Sequence, residues 1–198
     1  MDFNIVCFQT WLDNFTKTII ENKEYLNTLD TPIGDGDHGS NMVRGVLEYR
    51  KLMEIKPPET ISDTLKTLAM AMISKVGGSS GPLYGTAFLA MSKVTDGVES
   101  ITTQEEMSNM LQEGVNGIQM RGKGVCEDKT MLDVWIPVVH HVKENQHDIA
   151  IIEEAMQATA NYIAKKGRAS YLGERSVGHI DPGAASSAYL FKELFNIM

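Results

Sequence analysis

The sequence predicts an all-α fold of about eight amphipathic helices in one domain spanning residues 1–198. Three observations carry that expectation. Apolar residues recur at helical spacing along nearly the whole chain, no alternating β-branched run of useful length lies between turn signals, and the breaks in periodicity fall on Gly- and Pro-containing clusters. In order, Phe8, Trp11, Leu12, Phe15 and Ile19 share one face of a first helix. A second stretch runs over about 38–53, and Ile61, Leu65, Leu68, Met72, Ile73 and Val76 mark a third. Further helices are expected at about 80–94, 103–121, 130–142, 147–166 and 182–197.

Composition narrows the class. A chain of 198 residues that is 42% hydrophobic and 22% charged is an ordinary globular protein. Aromatics make up only 7% while there are 12 methionines, which predicts aliphatic, adaptable packing and not an aromatic-centred core. The net charge of −8 and the absence of a basic run speak against nucleic acid as a partner. An acidic protein that holds phosphates needs another source of positive charge, and a divalent cation supplies it. Cys7 and Cys126 form no CxxC pair and read as reduced thiols. Met1 to Leu12 contains Asp2 and no basic stretch, so it is not read as a signal peptide, and no apolar run approaches the ~18 residues of a membrane span. The expectation is a cytoplasmic protein with no membrane partner.

The connections carry the chemistry. Asp30, Asp35 and Asp37 lie within eight residues among Gly34, Gly36 and Gly39. Glycines allow the sharp turns that aim several carboxylates at one centre, and hard cations such as Mg²⁺ want oxygen ligands. Three carboxylates exceed the need of one phosphate-bound Mg²⁺ and would serve two. The competing reading is a solvated Asp-Gly turn that caps the next helix. A calcium-binding EF-hand fails, because Gly39 occupies the fifth position counted from Asp35. His38, Ser40 and Asn41 open the following helix, where free amides attract anions. His38 has three candidate roles: helix cap, nucleotide contact, or acid–base group.

Gly77-Gly78-Ser79-Ser80-Gly81 precedes a helix that begins near Pro82 and fits a phosphate cradle, although it is neither a Walker A loop nor a dinucleotide fingerprint. A tight turn is the plainer account. Gly167 to Ser176 brings Arg168 and Arg175, either as phosphate forks or as a solvated loop with a Glu174–Arg175 pair. The long segment Gly167 to Gly183 ends in Asp181-Pro182-Gly183, with Asp181 a natural N-cap of the last helix. Met120, Met131 and Trp135 are candidates to flank an adenine ring or, more simply, core residues. His140 and His141 are adjacent on a helix and so cannot share a face. Lys56-Pro57-Pro58-Glu59 is a polar connector with no assignable chemistry.

Taken in order, these segments resemble the ADP-binding L subunits of bacterial dihydroxyacetone kinases. The resemblance rests on Ile33-Gly34-Asp35-Gly36-Asp37-His38-Gly39, Val76 through Gly85, Arg121-Gly122-Lys123, Asp128-Lys129-Thr130-Met131 and Gly167 through Gly183. It runs almost end to end. Gly124-Val125-Cys126-Glu127 departs from the family's pattern. The resemblance implies an antiparallel barrel of eight helices with the nucleotide in loops at one end. It implies that Asp30, Asp35 and Asp37 bind two Mg²⁺ bridging the ADP phosphates. His38, Gly39, Ser40, Asn41, Ser79 and Ser80 would contact the nucleotide, as would Gly122, Met131, Arg168, Asp181, Pro182 and Gly183.

The resemblance further implies a phosphotransferase subunit with ADP/ATP as a resident coenzyme. A phosphohistidine carrier, the M subunit, would recharge the nucleotide, and the phosphoryl group would pass to dihydroxyacetone held on a separate K subunit. Alternatives are a kinase subunit using exchangeable ATP and a nucleotide-sensing module that docks on a transcription regulator. Oligomeric state, including a homo-oligomer, stays open.

Overall fold

Residues 2–198 are described by a computed structural model. Nine α-helices are present among the described residues: α1 (Ile5–Glu21), α2 (Lys23–Asp30), α3 (His38–Ile55), α4 (Ile61–Lys75), α5 (Ser80–Val94), α6 (Gln104–Gly122), α7 (Leu132–Lys143), α8 (Ile149–Ala158) and α9 (Pro182–Phe195). Two 3₁₀ segments cover Thr159–Asn161 and Arg168–Ser176. The helices begin where the sequence offers caps. Asn4, Thr60, Asp148 and Asp181 each accept a backbone amide from the helix they precede, and Thr103 with Glu106 forms a reciprocal capping box. The β structure is one two-residue pairing, β1 (Phe3–Asn4) antiparallel to β2 (Ser100–Ile101), with Phe3 opposite Ile101.

From α3 onward each helix packs on the next, and α9 returns to α1, which itself lies against α3. The ring is thereby closed, with α2 tucked against α3 and α9. All five residues of the first predicted stripe, Phe8, Trp11, Leu12, Phe15 and Ile19, are fully buried. In the α4 stripe, Ile73 is instead 42% exposed.

The expectation of a core without an aromatic centre is wrong. Trp11, Trp135, Tyr49, Tyr84, Phe8, Phe15, Phe88 and Phe191 are the bulk of the largest fully buried side chains. Trp11 packs on Phe88, Phe88 stacks on Tyr84, and Trp135 meets Phe191 edge-on at 4.9 Å. The few aromatic residues are concentrated in the core, where Met42, Met72, Met91, Met107 and Met110 are buried as well.

The helix expected over 147–166 stops at Ala158. There Thr159 accepts the Asp181 amide, and the Ala160 carbonyl accepts the Gly178 amide, so tertiary bonds replace the continuing helical ladder. Among the described residues no helix is long and apolar enough to cross a membrane.

Candidate functional site

The connections α2–α3, α4–α5, α6–α7 and α8–α9 enclose one cavity of about 720 Å³. The α2–α3 turn is built around Asp30. Its carbonyl accepts the Ile33 and Gly34 amides, Ile33 is buried, and Gly36 takes the left-handed conformation at φ 76°. The Asp30 carboxylate then reaches forward. Its Oδ2 accepts the Asp37 amide at 2.9 Å and the His38 amide at 3.2 Å. The last residue of α2 therefore caps α3. Asp37, in the N-cap position, makes no capping bond of its own and accepts Asn41 Nδ2 at 2.6 Å.

That division bears on the two readings of the loop. A simple capping turn would use Asp35 or Asp37 on the helix amides; instead Asp37 makes no capping bond and both are exposed. One oxygen from each of Asp30, Asp35 and Asp37 lies within 4.8 Å of the others. Burial raises the Asp30 pKa, the two backbone amides oppose that, and the Asp35 and Asp37 charges add to it. The donor set is all oxygen and suits a hard cation.

The walls supply cations that the sequence scattered. Arg44, Arg121, Lys129, Lys166 and Arg168 all line the cavity, each from a different position along the chain. The sequence reading, which looked for a basic run, missed this convergence. Arg168 Nη1 meets Asp35 Oδ2 at 2.6 Å. The Glu174–Arg175 pair considered from sequence is replaced by this long-range one. Arg44 donates to Asn41 Oδ1.

Lys129 is held most firmly. Its side chain is 1% exposed, and its ammonium donates to the Thr159 carbonyl at 2.5 Å and to the His179 carbonyl. Burial lowers its pKa, while Asp181 and Asp133 oppose that. Asp133 organises the same loop by accepting the Thr130 amide at 2.7 Å and the Glu127 amide. Asp181 caps α9 through the Ala184 amide at 2.7 Å, and burial pushes its carboxyl up to about 7.

On the glycine-loop side, Gly78 adopts φ 66° and no side chain caps α5, so its first-turn amides border the cavity at Ser79 and Ser80. His38 is 7% exposed and wedged between Ser80 Oγ, 3.3 Å from Nδ1, and Ser186 Oγ, 3.0 Å from Nε2. Burial lowers its pKa to about 4, so the ring is neutral at ordinary pH.

Of the residues singled out in the sequence, Asp30, Asp35, Asp37, His38, Asn41, Ser79, Ser80, Gly122, Met131, Arg168, Asp181, Pro182 and Gly183 all reach the cavity. Gly39 and Ser40 face α2 instead. A side chain at Gly39 would stand 2.0 Å from the Lys23 carbonyl, and Ser40 exchanges two hydrogen bonds with Asn27. Met131 lines the wall, Trp135 belongs to the core, and Met120 is 75% exposed. Thr130, Leu132, Ile118 and Leu83 complete the lining without having been singled out for it. Leu132 follows Met131 and Thr130 precedes it, so the register of α7 was the available signal.

The DAK2 domain family matches residues 32–196. The ADP-binding subunit of the PEP-dependent dihydroxyacetone kinase 1 of Listeria innocua is 51% identical over 91% of this chain and 90% of its own length. The corresponding subunit of the PTS-dependent enzyme of Lactococcus lactis is 48% identical, covering 95% of both chains. That of the PEP-dependent enzyme of Escherichia coli is 40% identical over 93% of this chain and 92% of its own. Among solved structures, the native dihydroxyacetone kinase of C. freundii superposes with a TM-score of 0.74 at 24% identity, over 96% of this chain and 34% of that one, which shows a shared fold. The same kinase has been solved in complex with AMP-PNP and Mg²⁺, with a TM-score of 0.72 at 24% identity, over 94% of this chain and 33% of that one. This chain is a member of the DAK2 domain family, and it is similar to relatives named as ADP-binding subunits of dihydroxyacetone kinases along nearly their whole length.

Proposed function

We propose that this chain is the nucleotide-holding phosphotransferase subunit of a PEP-dependent dihydroxyacetone kinase. The observation that carries the reading is the convergence of Asp30, Asp35 and Asp37 at a cavity whose other walls bring five cationic side chains. A volume of about 720 Å³ lies within the ~300–1,000 Å³ usual for small-molecule sites. Three like charges held this close, only one of them paired with an arginine, fit a divalent cation. Asp30, Asp35 and Asp37 would hold Mg²⁺, two ions in our reading, and the metal would neutralise charge on the phosphate oxygens.

The chain's own residues divide the remaining work. Amides at the start of α5 and the hydroxyls of Ser79 and Ser80 orient phosphate oxygens. Arg168 crosses over Asp35 and closes the polyphosphate end. Met131, Leu132 and Leu83 give the apolar wall against which a base packs. No nucleophilic side chain is required, because phosphoryl transfer depends on positioning and charge neutralisation. The acceptor, dihydroxyacetone, is held on a K subunit, and the nucleotide is recharged in place by a phosphohistidine M subunit. Near-complete coverage of relatives named as ADP-binding subunits of PEP- and PTS-dependent kinases supports the coenzyme role over exchangeable ATP.

The test is native followed by denaturing mass spectrometry of the purified chain, then turnover with purified K subunit and dihydroxyacetone. Co-purifying ADP, and multiple turnovers only when the phosphohistidine carrier is present, are expected. Multiple turnovers with free ATP and no carrier would replace the coenzyme role with ordinary ATP exchange.

A further inference from the structure

The connection that carries Arg168 leaves α8 at Thr159 and rejoins α9 at Asp181, and its two ends are pinned together. Thr159 Oγ1 accepts the Asp181 amide at 3.0 Å, and the Ala160 carbonyl accepts the Gly178 amide at 2.7 Å. Lys129 closes this neck from the side. Its ammonium donates to the Thr159 carbonyl at 2.5 Å and to the His179 carbonyl, one acceptor from each end of the loop. Lys129 and Thr159 are both buried, so the neck is shielded from water.

Beyond the neck the loop is braced mainly against itself. Ser176 Oγ accepts the Ala164 amide at 2.9 Å and donates to the Gly173 carbonyl at 2.7 Å. Among the described residues, the hydrogen bonds and ion pairs of 160–180 to distant parts of the chain go to Asp35, Asp128 and Lys129. The Lys165 amide donates to the Asp128 carbonyl at 3.0 Å. The two ion pairs rest on exposed cations, Arg168 at 64% and Lys165 at 58%, and exposed pairs hold little. Lys129 is different in kind. An ammonium has donors only, and taken out of water it must keep its acceptors. Parting the two ends of the loop would strand that buried charge. The backbone of Lys129 is also left-handed, at φ 60°. Glycine would serve that turn with less strain, whereas the neck needs the side chain.

We infer that Lys129 is a positioning residue for phosphate binding, clamping the two ends of the 160–180 loop so that Arg168 is held in place at the mouth of the cavity. This rests on the proposed nucleotide site. An arginine fixed before the ligand arrives spends none of its binding energy on being ordered. With the clamp gone, the loop drifts about its neck, and Arg168 must be gathered in each time a phosphate binds.

The experiment measures equilibrium Mg-ADP binding to nucleotide-stripped, full-length wild type, Lys129→Met, Arg168→Ala and the double variant, beside amide exchange in wild type and Lys129→Met without nucleotide. Lys129→Met is expected to bind about tenfold more weakly, the share of one bond to a charged group. In its background the Arg168→Ala penalty is expected to shrink to about twofold or less, because an arginine that is no longer held has little left to lose. Exchange is expected to quicken within 160–180 while α4 and α5 keep wild-type protection. A merely structural lysine would lower protection across the whole barrel and leave the arginine penalty intact, and that result overturns the inference. So do additive losses with unchanged exchange in 160–180, which would make Lys129 a direct phosphate cation. If Lys129→Met does not fold, Lys129→Gly, which relieves the left-handed backbone, carries the same cycle; failure of both to fold makes Lys129 a folding residue and overturns the inference. Failure of wild type to bind Mg-ADP overturns the reading of the site and this inference with it, whereas wild-type binding with additive losses overturns this inference alone.

Discussion

The guanidinium of Arg168 lies 2.6 Å from the carboxylate of Asp35, joining the segment after α8 to the turn between α2 and α3 across the mouth of the cavity. Both side chains are well exposed, at 64% and 44%, so the pair adds little to folding. Arg168→Ala is expected to leave thermal stability within about 1 kcal/mol of wild type. Loss of a charge-assisted bond to phosphate should weaken ADP binding roughly ten- to a hundredfold. Calorimetric titration with Mg-ADP beside a thermal melt measures both.

The three aspartates separate by role. Asp35→Ala and Asp37→Ala are each expected to abolish tight nucleotide retention while far-ultraviolet circular dichroism stays near wild type, because neither carboxylate caps α3. Asp30 holds the Asp37 and His38 amides as well. Asp30→Asn keeps an acceptor for them and is expected to fold normally without retaining nucleotide. Asp30→Ala leaves those amides unsatisfied and should cost about 1–3 kcal/mol in addition. Chemical denaturation of the two variants, side by side, distinguishes them.

Asp181 gives the metal-free protein a pH signature. Its carboxyl is pushed up to about 7 from an ordinary 3.8, chiefly by burial. The folded state therefore binds more protons than the unfolded state between those values, and this group's contribution to stability falls as pH rises through that window. Asp181→Asn keeps a cap for α9 and is expected to remove that fall. Relative to wild type it should gain roughly 4 kcal/mol at pH 8 compared with pH 4, since a rise from 3.8 to about 7 counts at ~1.4 kcal/mol per pKa unit. His38 contributes in the opposite sense, since its pKa near 4 makes stability rise with pH up to the ordinary 6.5. Denaturation across pH in wild type and Asp181→Asn isolates the aspartate's share.

Gly39 sets how closely α3 approaches α2. A Cβ there would come within 2.0 Å of the Lys23 carbonyl, a backbone atom that cannot swing aside. Gly39→Ala is expected to destabilise by at least the ~1–3 kcal/mol of core overpacking. It should also shift Asp30 relative to Asp37, lowering metal-dependent ADP binding. A matched control, Gly97→Ala, meets no atom and tests only the left-handed backbone at φ 73°.

Much of the helix pattern was legible because each helix buries one stripe, and Phe8 through Ile19 shows the 3.6-residue period without interruption. Two features were not. The stop of α8 at Ala158 depends on Asp181 and Gly178 arriving from more than 15 residues away, and no local pattern encodes such a bond. The aromatic core was hidden because composition counts residues without saying where they meet. At the site, the carboxylates were readable since they sit close in sequence. The cations were not, because Arg44, Arg121, Lys129 and Lys166 become neighbours only when the ring closes. Asp30 as the cap of α3 was likewise invisible, since a capping residue is sought next to its helix.

The cavity's walls come from four connections that span the chain from Asp30 to Gly183. A molecule seated among them is a stitch between segments with no covalent tie nearby. Its escape requires those segments to part, so residence time and the local opening of this end of the barrel are one process seen from two sides. Amide exchange in the turns and the rate of nucleotide departure should then share a common clock.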